Sequence, residues 1–378
     1  MNKISFFHCA DIHLDSPFSS LSSKPGLPAL RRRQILDTFM KMIDSAKIKK
    51  PDFLFISGDL FEHEYARLAT ISAINSAFAV IPDTTVVMIA GNHDPEAADS
   101  FYLTYKWNPN VYFLGESRES IFFEEKNTEV FGLGWGPGYG QKARLETISP
   151  DRTKINVLLF HGDIDLDIGS RDYNSVPATV LNAGGFDYVA AGHNHKRRES
   201  IGSGLIFNPG SLEPLGFDEP GKHGYFIGEA GVSSTPSVSF MEVSETLYET
   251  LEFDITGLSS DSEVLESLRN AATNTNTLYR IILKGKRPVD YYPSLSLLES
   301  GLVNSVQFAR IADESSASIA LEDLSVMKGL KGAFVRNMLE KIEEAVSGDE
   351  RILLEKALHY GLEAIDNGKI ETAGGEIL

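Results

Sequence analysis

Five short apolar segments in the first half of the chain each end in a cluster of aspartate, asparagine or histidine residues. The segments have the length of buried strands, and amphipathic stretches of helical period separate the first three. This β-α-β-α-β order predicts parallel strands joined by helical crossovers, and therefore an α/β fold. The five segments are Lys3–Ala10, Asp52–Ser57, Thr85–Ala90, Ile155–Phe160 and Tyr188–Ala191.

Further helices and strands complete a predicted first domain that covers residues 1–245. Apolar residues recurring on one face predict helices at Pro28–Lys49 and Glu62–Ala79. The shorter strands that follow predict a two-sheet sandwich with helices outside, and two of them form a hairpin around 126–128. These shorter elements are strands at Val111–Leu114, Ile121–Glu125, Glu129–Gly134, Gly204–Phe207, Gly224–Gly228 and Ser237–Val243, and a helix at Pro177–Ala183.

The pattern changes after about residue 245. Residues 246–315 predict a small α/β domain, with strands Thr250–Ile255 and Leu278–Lys284 on either side of a helix at Asp261–Ala272. Asn304–Ile311 is a candidate third strand. Residues 316–378 are predicted to be a helical region, with helices at 329–346 and 350–365.

Composition and charge restrict the class of protein. Of the 378 residues, 42 % are hydrophobic and 23 % are charged, as in folded soluble proteins. No apolar run is long enough to cross a bilayer, and Cys9 is the single cysteine. We therefore predict a cytoplasmic protein that has no disulfide and does not contact the membrane. The net charge of −18 argues against broad attraction to nucleic acid but leaves room for a local basic groove.

The polar clusters lie where parallel strands deliver a ligand site. The carboxyl ends of such strands meet at one edge of a sheet, so the five clusters are expected to lie together. Two divalent metals about 3.5–4 Å apart need hard oxygen donors and imidazoles with a shared carboxylate. Glycines beside several of these residues allow sharp turns next to the metals. The candidate ligands are Asp11, His13, Asp59, Asn92, His161, His193 and His195.

The ordered set Asp-x-His, Gly-Asp, Gly-Asn-His-Asp, His and Gly-His-x-His resembles the calcineurin-like metallophosphoesterase family. The resemblance spans 11–195 and implies a four-layer β-sandwich flanked by helices, followed here by the small α/β cap-like domain and the C-terminal helices. It also implies a two-metal phosphodiesterase in which water acidified by both metals attacks phosphorus in line. Asp11, His13, Asp59 and His195 would hold the first metal, and Asp59, Asn92, His161 and His193 the second.

Three further residues are candidates for catalysis. The resemblance gives His93 the task of protonating the leaving oxygen or steadying the phosphate. Glu62 is predicted to pair with His93 and fix its tautomer, although it could equally be the acidic first-turn residue of a helix. Asp94 either orients the loop or is a turn or helix-cap residue before Pro95.

Within the family, the chain resembles SbcD-type DNA double-strand-break nuclease subunits. The resemblance rests on 7–15 (FHCADIHLD) and 57–61 (SGDLF). It implies a DNA substrate, a helical C-terminal region that docks on an SbcC-type coiled-coil ATPase, and a homodimer. Many of these nucleases carry histidine where this chain has Glu62, so a divergent subunit is expected. The donor types suit manganese, and iron or zinc would also fit.

Local basic clusters are the candidate DNA contacts. Lys196, Arg197 and Arg198 directly follow His195 and are expected near the metals, where they could bind phosphates. A second cluster, at the end of a strand in the cap-like domain, consists of Lys284, Lys286 and Arg287. Residues 31–33 (RRR) are interpreted as a solvated helix face in preference to a DNA contact. Phe18, Tyr65 and Trp135 could stack on bases, although single aromatic residues more often belong to a core.

Two alternatives to a nuclease remain open. A stand-alone phosphodiesterase or phosphatase for small nucleotides fits the acidic charge, whereas the cap-like domain and extra helices favour the nuclease. A non-catalytic DNA-tethering or ATPase-regulating scaffold is a third hypothesis, but the intact ligand set argues against it. The C-terminal helix carries an apolar stripe that either packs on this chain or docks a partner; its members are Leu353, Leu354, Ala357, Leu358, Leu362 and Ile365.

Overall fold

The fold is described from a computed structural model. The residues that it describes are 3–136, 145–165, 175–202, 204–288, 291–317 and 321–367.

The strands follow one another along the whole chain up to residue 317. They are β1 (Lys3–Cys9), β2 (Phe53–Ser57), β3 (Thr85–Ile89), β4 (Val111–Phe113), β5 (Ser120–Phe123), β6 (Thr128–Leu133), β7 (Ile155–His161), β8 (Tyr188–Gly192), β9 (Arg198–Ile201), β10 (Ile206–Asn208), β11 (Gly224–Gly231), β12 (Ser237–Glu242), β13 (Leu247–Asp254), β14 (Thr277–Lys284), β15 (Lys286–Arg287), β16 (Phe308–Asp313) and β17 (Ser316–Ala317).

Helices alternate with the early strands, and three helices follow β17 in the described part of the chain. They are α1 (Leu27–Lys49), α2 (Leu68–Ala79), α3 (Phe101–Thr104), α4 (Ala178–Ala183), α5 (Asp261–Ala271), α6 (Leu295–Gly301), α7 (Leu321–Val326), α8 (Leu330–Glu344) and α9 (Gly348–Asn367), with short 3₁₀ turns at Ser19–Leu21 and Glu124–Lys126.

Two six-stranded sheets form the larger part of the molecule. Their strand orders are β12-β11-β1-β2-β3-β4 and β5-β6-β7-β8-β10-β9. Strands β1, β2, β3 and β4 pair in parallel in the first sheet, and β6, β7, β8 and β10 do so in the second. The predicted parallel order and the hairpin of β5 and β6 are therefore confirmed. The sheets carry helices, as the predicted α/β sandwich requires.

Alternation along β1 shows how the layers are held together. Ile4 and Phe6 point into the core between the two sheets, where Phe6 contacts Tyr188 of β8 with ring centroids 4.3 Å apart. Phe7 and Cys9 point the other way, into the core that α1 and α2 cover. Successive side chains of a strand face opposite sides. Apart from the exposed Lys3 and the half-buried Ser5, β1 is therefore buried on both faces, in agreement with the predicted buried strand.

The second predicted helix begins later than expected. Residues 62–67 are not helical and include a turn at 63–65, and α2 starts at Leu68. Asp15 accepts hydrogen bonds from the Arg67 backbone N–H (3.0 Å) and guanidinium (2.5 Å) at the start of the helix. Glu62 consequently lies outside the helix, so the interpretation of it as a first-turn residue is wrong.

The chain divides into two compact units. The first comprises Met1–Thr250, Asn274–Arg280 and Val306–Phe308, and the second comprises Leu251–Thr273, Ile281–Ser305 and Ala309–Leu378. Strands β13, β14 and β16 form a three-stranded sheet in the order β13-β14-β16. The predicted division of the later chain at residue 315 stays a prediction, and residues 368–378 lie outside the described part.

The C-terminal helices of the second unit pack on one another. Leu358 and Leu362 of α9 are buried against Val335 and Met338 of α8. The apolar stripe predicted from the sequence therefore packs in part on its own chain, while Leu353 is 68 % exposed. Across the described residues, the helices are all too short or too polar to cross a bilayer.

Arg31 corrects the interpretation of residues 31–33 as a solvated face. Its side chain is fully buried in the first unit. The guanidinium contacts the Glu213 carboxylate (3.3 Å), donates to Thr246 Oγ1 (2.5 Å) and donates to the Pro214 carbonyl (2.8 Å). A helical pattern cannot reveal this burial, because the partners lie between 182 and 215 residues away along the chain.

Replacing Arg31 with methionine should destabilise the first unit strongly. The variant leaves the Glu213 carboxylate buried without its cation, a change that costs about 3–5 kcal/mol of unfolding free energy. Both tryptophans, Trp107 and Trp135, belong to the first unit. Urea unfolding followed by tryptophan fluorescence therefore measures the effect.

Arg33→Met is the matched control. The Arg33 side chain is 78 % exposed and pairs with Asp37, so its loss should hardly shift the unfolding midpoint. Equal shifts for the two variants would contradict a buried ion pair at Arg31.

Candidate metal centre

The seven predicted metal ligands lie at one rim of the sandwich. They follow the carboxyl ends of β1, β2, β3, β7 and β8, which are neighbours within the two sheets. These ligands are Asp11, His13, Asp59, Asn92, His161, His193 and His195.

Four of them form a first cluster. One ligand atom of each of Asp11, His13, Asp59 and His195 lies within 4.8 Å of the others. The Nε2 atoms of His13 and His195 are 3.1 Å apart, and His13 Nε2 is 3.6 Å from Asp59 Oδ2. Ring nitrogens and carboxylate oxygens that converge in this way are the expected donors of a shared cation.

A second cluster surrounds the Asn92 amide. Asn92 Oδ1 is 3.0 Å from His161 Nε2 and 2.9 Å from His193 Nδ1. Asp59 Oδ2 is 3.3 Å from the same His161 nitrogen. Asp59 thus belongs to both clusters, in the position required of a carboxylate shared by two metals.

The electrostatics fit a site for cations. Burial disfavours a protonated ring, yet the nearby carboxylates of Asp59 and Asp11 raise the pKa of His161 to about 9. At His195 burial is likewise outweighed by Glu219 and Asp11, and the pKa is also about 9. Burial and the His161 charge instead lower the pKa of His193 to about 4. The carboxylates therefore favour positive charge here, and the donor set fits two divalent cations.

Four of the seven ligands have a left-handed backbone conformation. Asp11, His13, Asp59 and His193 have φ of 50°, 53°, 52° and 92°, a left-handed region that side-chain-bearing residues seldom adopt. Such strain persists only where the surroundings fix it, and it is typical of functional sites. A Cβ atom on Gly91 would lie 2.1 Å from Asp59 Oδ1, so this glycine is needed for the close approach of the two loops.

Most of the histidines are also held through their second ring nitrogen. In three of the four histidines among the predicted ligands, the Nδ1 atom is 2.7–2.8 Å from a protein oxygen, a contact that fixes tautomer and ring orientation. For the fourth, His193, Nε2 is 3.6 Å from Asp163 Oδ1. The three pairs are His13 with Glu62, His161 with the Ser57 carbonyl, and His195 with Glu219.

Sequence reasoning missed Glu219. It follows His195 by 24 residues and lies in no motif next to a ligand. Only the path of the chain between β10 and β11 brings it to the metal centre.

Glu62 pairs with His93, as predicted. Its Oε2 atom is 3.0 Å from His93 Nδ1, and its Oε1 atom is 2.8 Å from His13 Nδ1. The hydrogen bond from the imidazole to Glu62 raises the pKa of His93. The His93 side chain is 45 % exposed, whereas that of His13 is buried. One carboxylate therefore links a ligand to a histidine that faces solvent.

Asp94 is fully buried and organises the loops. Its carboxylate receives four backbone N–H groups and one hydroxyl, so it holds the loop after β2 against the loop after β3. This geometry favours a role in orienting the loop over that of a simple turn or helix-cap residue. The donors are the backbone of Asp59 (3.1 Å), Leu60 (2.6 Å), Phe61 (3.2 Å) and Gly91 (2.6 Å), and Tyr102 Oη (2.6 Å).

The basic residues after His195 differ in their surroundings. Lys196 is exposed and lines a cleft with His193 and His195. Arg197 pairs with Glu199 at 3.3 Å. Arg198, on β9, donates to the Ile164 carbonyl at 3.1 Å. Lys196 is therefore the member of this cluster that is best placed to meet a phosphate.

In the second unit the predicted basic cluster is engaged in internal contacts. Lys284 forms a 2.5 Å ion pair with Glu314. Lys286 Nζ donates to Ser316 Oγ (3.0 Å), and Arg287 Nη1 donates to the Tyr291 carbonyl (2.8 Å). A DNA contact by these three residues stays a prediction.

The three aromatic residues that could stack on bases differ in their burial and contacts. Phe18 is in the core, and Tyr65 is 50 % exposed. Trp135 lies over the His193 ring with centroids 6.3 Å apart and donates from Nε1 to the His161 carbonyl at 2.9 Å. Trp135 therefore supports two of the predicted ligands.

Comparison with known proteins identifies phosphoesterase relatives, in agreement with a metal centre at this rim. Residues 4–197 match the calcineurin-like phosphoesterase family. The uncharacterized metallophosphoesterase YhaO of Bacillus subtilis is 24 % identical over 306 residues, which cover 76 % of this chain and 73 % of that protein.

Two archaeal relatives are named as DNA double-strand break repair protein Mre11. The protein of Methanopyrus kandleri is 28 % identical and the alignment covers 62 % of this chain and 56 % of that protein. The protein of Sulfolobus acidocaldarius is 24 % identical, with 84 % of each covered. The family match extends over about half of this chain. It contains all seven residues of the two clusters and all of their partners named above except Glu219. The chain therefore belongs to the calcineurin-like phosphoesterase family of metal-dependent phosphoesterases.

Proposed function

We propose that this chain is a DNA phosphodiesterase, the nuclease subunit of a repair assembly that contains an SbcC-type coiled-coil ATPase. The observation that carries the proposal is the Glu62 carboxylate, which joins His13 of the first cluster to the exposed His93. This arrangement supports a role for His93 as a proton donor at the edge of a buried cation site.

The two clusters would hold two divalent cations. Asp11, His13 and His195 would bind the first and Asn92, His161 and His193 the second, with Asp59 between them; these are the donors described above. When bound, the cations supply Lewis acidity and neutralise charge on the phosphate. We propose manganese, and iron or zinc fits the same donors.

His93 would deliver the proton. Glu62 occupies its Nδ1 atom, so Nε2 is the nitrogen left for the substrate. The proton on Nε2 moves to the oxygen that leaves phosphorus, and the Glu62 carboxylate stabilises the charged ring before the transfer. Glu62 thereby keeps the ring oriented while its other oxygen holds His13.

A DNA substrate is supported by the archaeal relatives and by Lys196. The relatives are named as double-strand break repair proteins, and Lys196 is an exposed cation beside His193 and His195. Exposed apolar side chains on the C-terminal helices and on the link between α8 and α9 support docking of an ATPase partner. Leu330 and Leu353 of the helices are 75 % and 68 % exposed, and Val346 of the link is 95 % exposed. The predicted homodimer stays a prediction.

A second candidate function is hydrolysis of small phosphodiesters. The cleft beside the histidines has a volume of about 390 Å³, within the range of small-ligand pockets. Asp163, Asp218 and Glu219 line it together with Lys196. An acidic cleft in a chain of net charge −18 favours a compact substrate over a long polyanion.

His93→Ala should separate these functions when it is assayed with manganese on linear duplex, single-stranded DNA and bis-p-nitrophenyl phosphate. A DNA alkoxide needs a proton to leave, so DNA cleavage should fall by about 10²–10⁴-fold. p-Nitrophenolate leaves without one, so cleavage of the small diester should fall much less. His63→Ala, beside Asp99, is the matched control and should retain activity.

The pattern of substrates decides between the hypotheses. Cleavage of DNA by the native chain supports the nuclease. Cleavage of the small diester alone, even after addition of an SbcC-type partner, would favour the second candidate. Manganese binding without cleavage of any substrate would leave the scaffold hypothesis.

Glu62→Gln should reduce turnover even when manganese is saturating. The amide cannot compensate the charge on His93, so kcat for DNA should fall by about 10²-fold. Weaker support of His13 should also lower manganese affinity by about 10–100-fold. Glu64→Gln, at an exposed position two residues away, is the control. A kcat that returns to the native value at high manganese would show that Glu62 supports only the metal ligand.

A further inference from the structure

We propose that Glu219 is a positioning residue of the metal centre, which fixes the tautomer of His195 so that the Nε2 lone pair faces the cation. The proposal rests on the proposed metal centre, but not on the identity of the substrate. It adds a carboxylate that lies outside the family motifs quoted above.

Both oxygens of the Glu219 carboxylate accept hydrogen bonds from identified donors. The side chain is 4 % exposed. Its Oε2 atom accepts from Ser211 Oγ at 2.5 Å and from the Leu215 backbone N–H at 3.1 Å. Its Oε1 atom is 2.7 Å from His195 Nδ1. Both oxygens are therefore held in place, and Oε1 is directed at the imidazole.

This geometry determines which nitrogen of His195 carries the proton. A carboxylate can only accept, so Nδ1 must donate to Oε1. In the neutral ring, Nε2 then has the free lone pair, and it lies 3.1 Å from His13 Nε2 in the first cluster. A ligand histidine whose second nitrogen donates to a carboxylate is the arrangement that strengthens metal binding.

A buried network supports Glu219 from behind. The Ser211 hydroxyl donates its hydrogen to Glu219, so the contact between Ser211 Oγ and His223 Nδ1 at 2.9 Å has the imidazole as donor. His223 is itself buried, and its Nδ1 also lies 3.0 Å from the Ser211 carbonyl, a second acceptor for the same N–H. The turn between β10 and β11 is thus a preorganised support for His195.

Glu219→Gln tests the proposal because an amide has one accepting oxygen. It cannot accept hydrogen bonds both from His195 and from Ser211 and Leu215, as the carboxylate does. If its NH₂ group faces Leu215 N–H and Ser211, donors oppose each other; if it faces His195 Nδ1, it forces the proton to Nε2. Either arrangement should weaken Mn²⁺ binding by about 10–100-fold in calorimetric titration. In ¹⁵N NMR of the metal-free chain, recorded above the His195 pKa of about 9, the ring should also lose its single Nδ1–H tautomer.

Glu213→Gln is the matched control, because Glu213 is a buried carboxylate in the same turn whose partners are Arg31 and Thr38. It should lower stability and leave Mn²⁺ affinity unchanged. If Glu219→Gln does not fold, Glu219→Asp keeps the charge and withdraws it from His195, and should weaken binding about tenfold.

Native Mn²⁺ affinity in the folded Glu219 variant would overturn the proposal. A native chain that binds no Mn²⁺ would overturn the metal centre itself, and with it the proposed function. If Mn²⁺ binding depends on Glu219 but the native chain does not cleave DNA, the role of Glu219 stands and only the proposed DNA substrate is rejected.

Discussion

The carboxylates of Asp11 and Asp59 are buried side by side at the ends of β1 and β2. Two like charges removed from water are unstable unless cations compensate them. Donor groups from three further loops surround these carboxylates. Although burial disfavours a protonated ring, Asp59 and Asp11 raise the pKa of His161 to about 9, and Glu219 and Asp11 do the same for His195. The need to neutralise this buried charge explains why the rim consists of donor atoms, and why it suits divalent metals better than a single proton or an organic cofactor.

The fold meets this requirement through its parallel strands. Carboxyl ends of two packed sheets deliver the ligands from five loops to one rim. Asp94 fastens two of those loops together through their backbone N–H groups, and Asp11, His13, Asp59 and His193 tolerate left-handed backbone there. Glu62 and Glu219 then orient His13 and His195. The ligand types and the contacts that hold them together fit the rim to bind divalent metals.

The sequence was sufficient for those features that depend on local pattern. Strands such as β1 and β7 and the ligands that follow them could be predicted because apolar runs and polar ends are adjacent in the chain. The late start of α2 could not, because Asp15 fixes the N-terminus of this helix from 52 residues away. Burial of Arg31 and the support of His195 by Glu219 likewise depend on contacts between distant segments. Motifs thus identify ligands, whereas the groups that hold them need the fold.

Electron paramagnetic resonance of the manganese-loaded chain tests most directly whether Asp59 is shared by two cations. Two Mn²⁺ ions about 3.5–4 Å apart should bind per chain and give an exchange-coupled spectrum, which Asp59→Asn should convert to an uncoupled signal or abolish. A native chain that binds one Mn²⁺, or two without coupling, would contradict a shared carboxylate and the two-metal centre built on it.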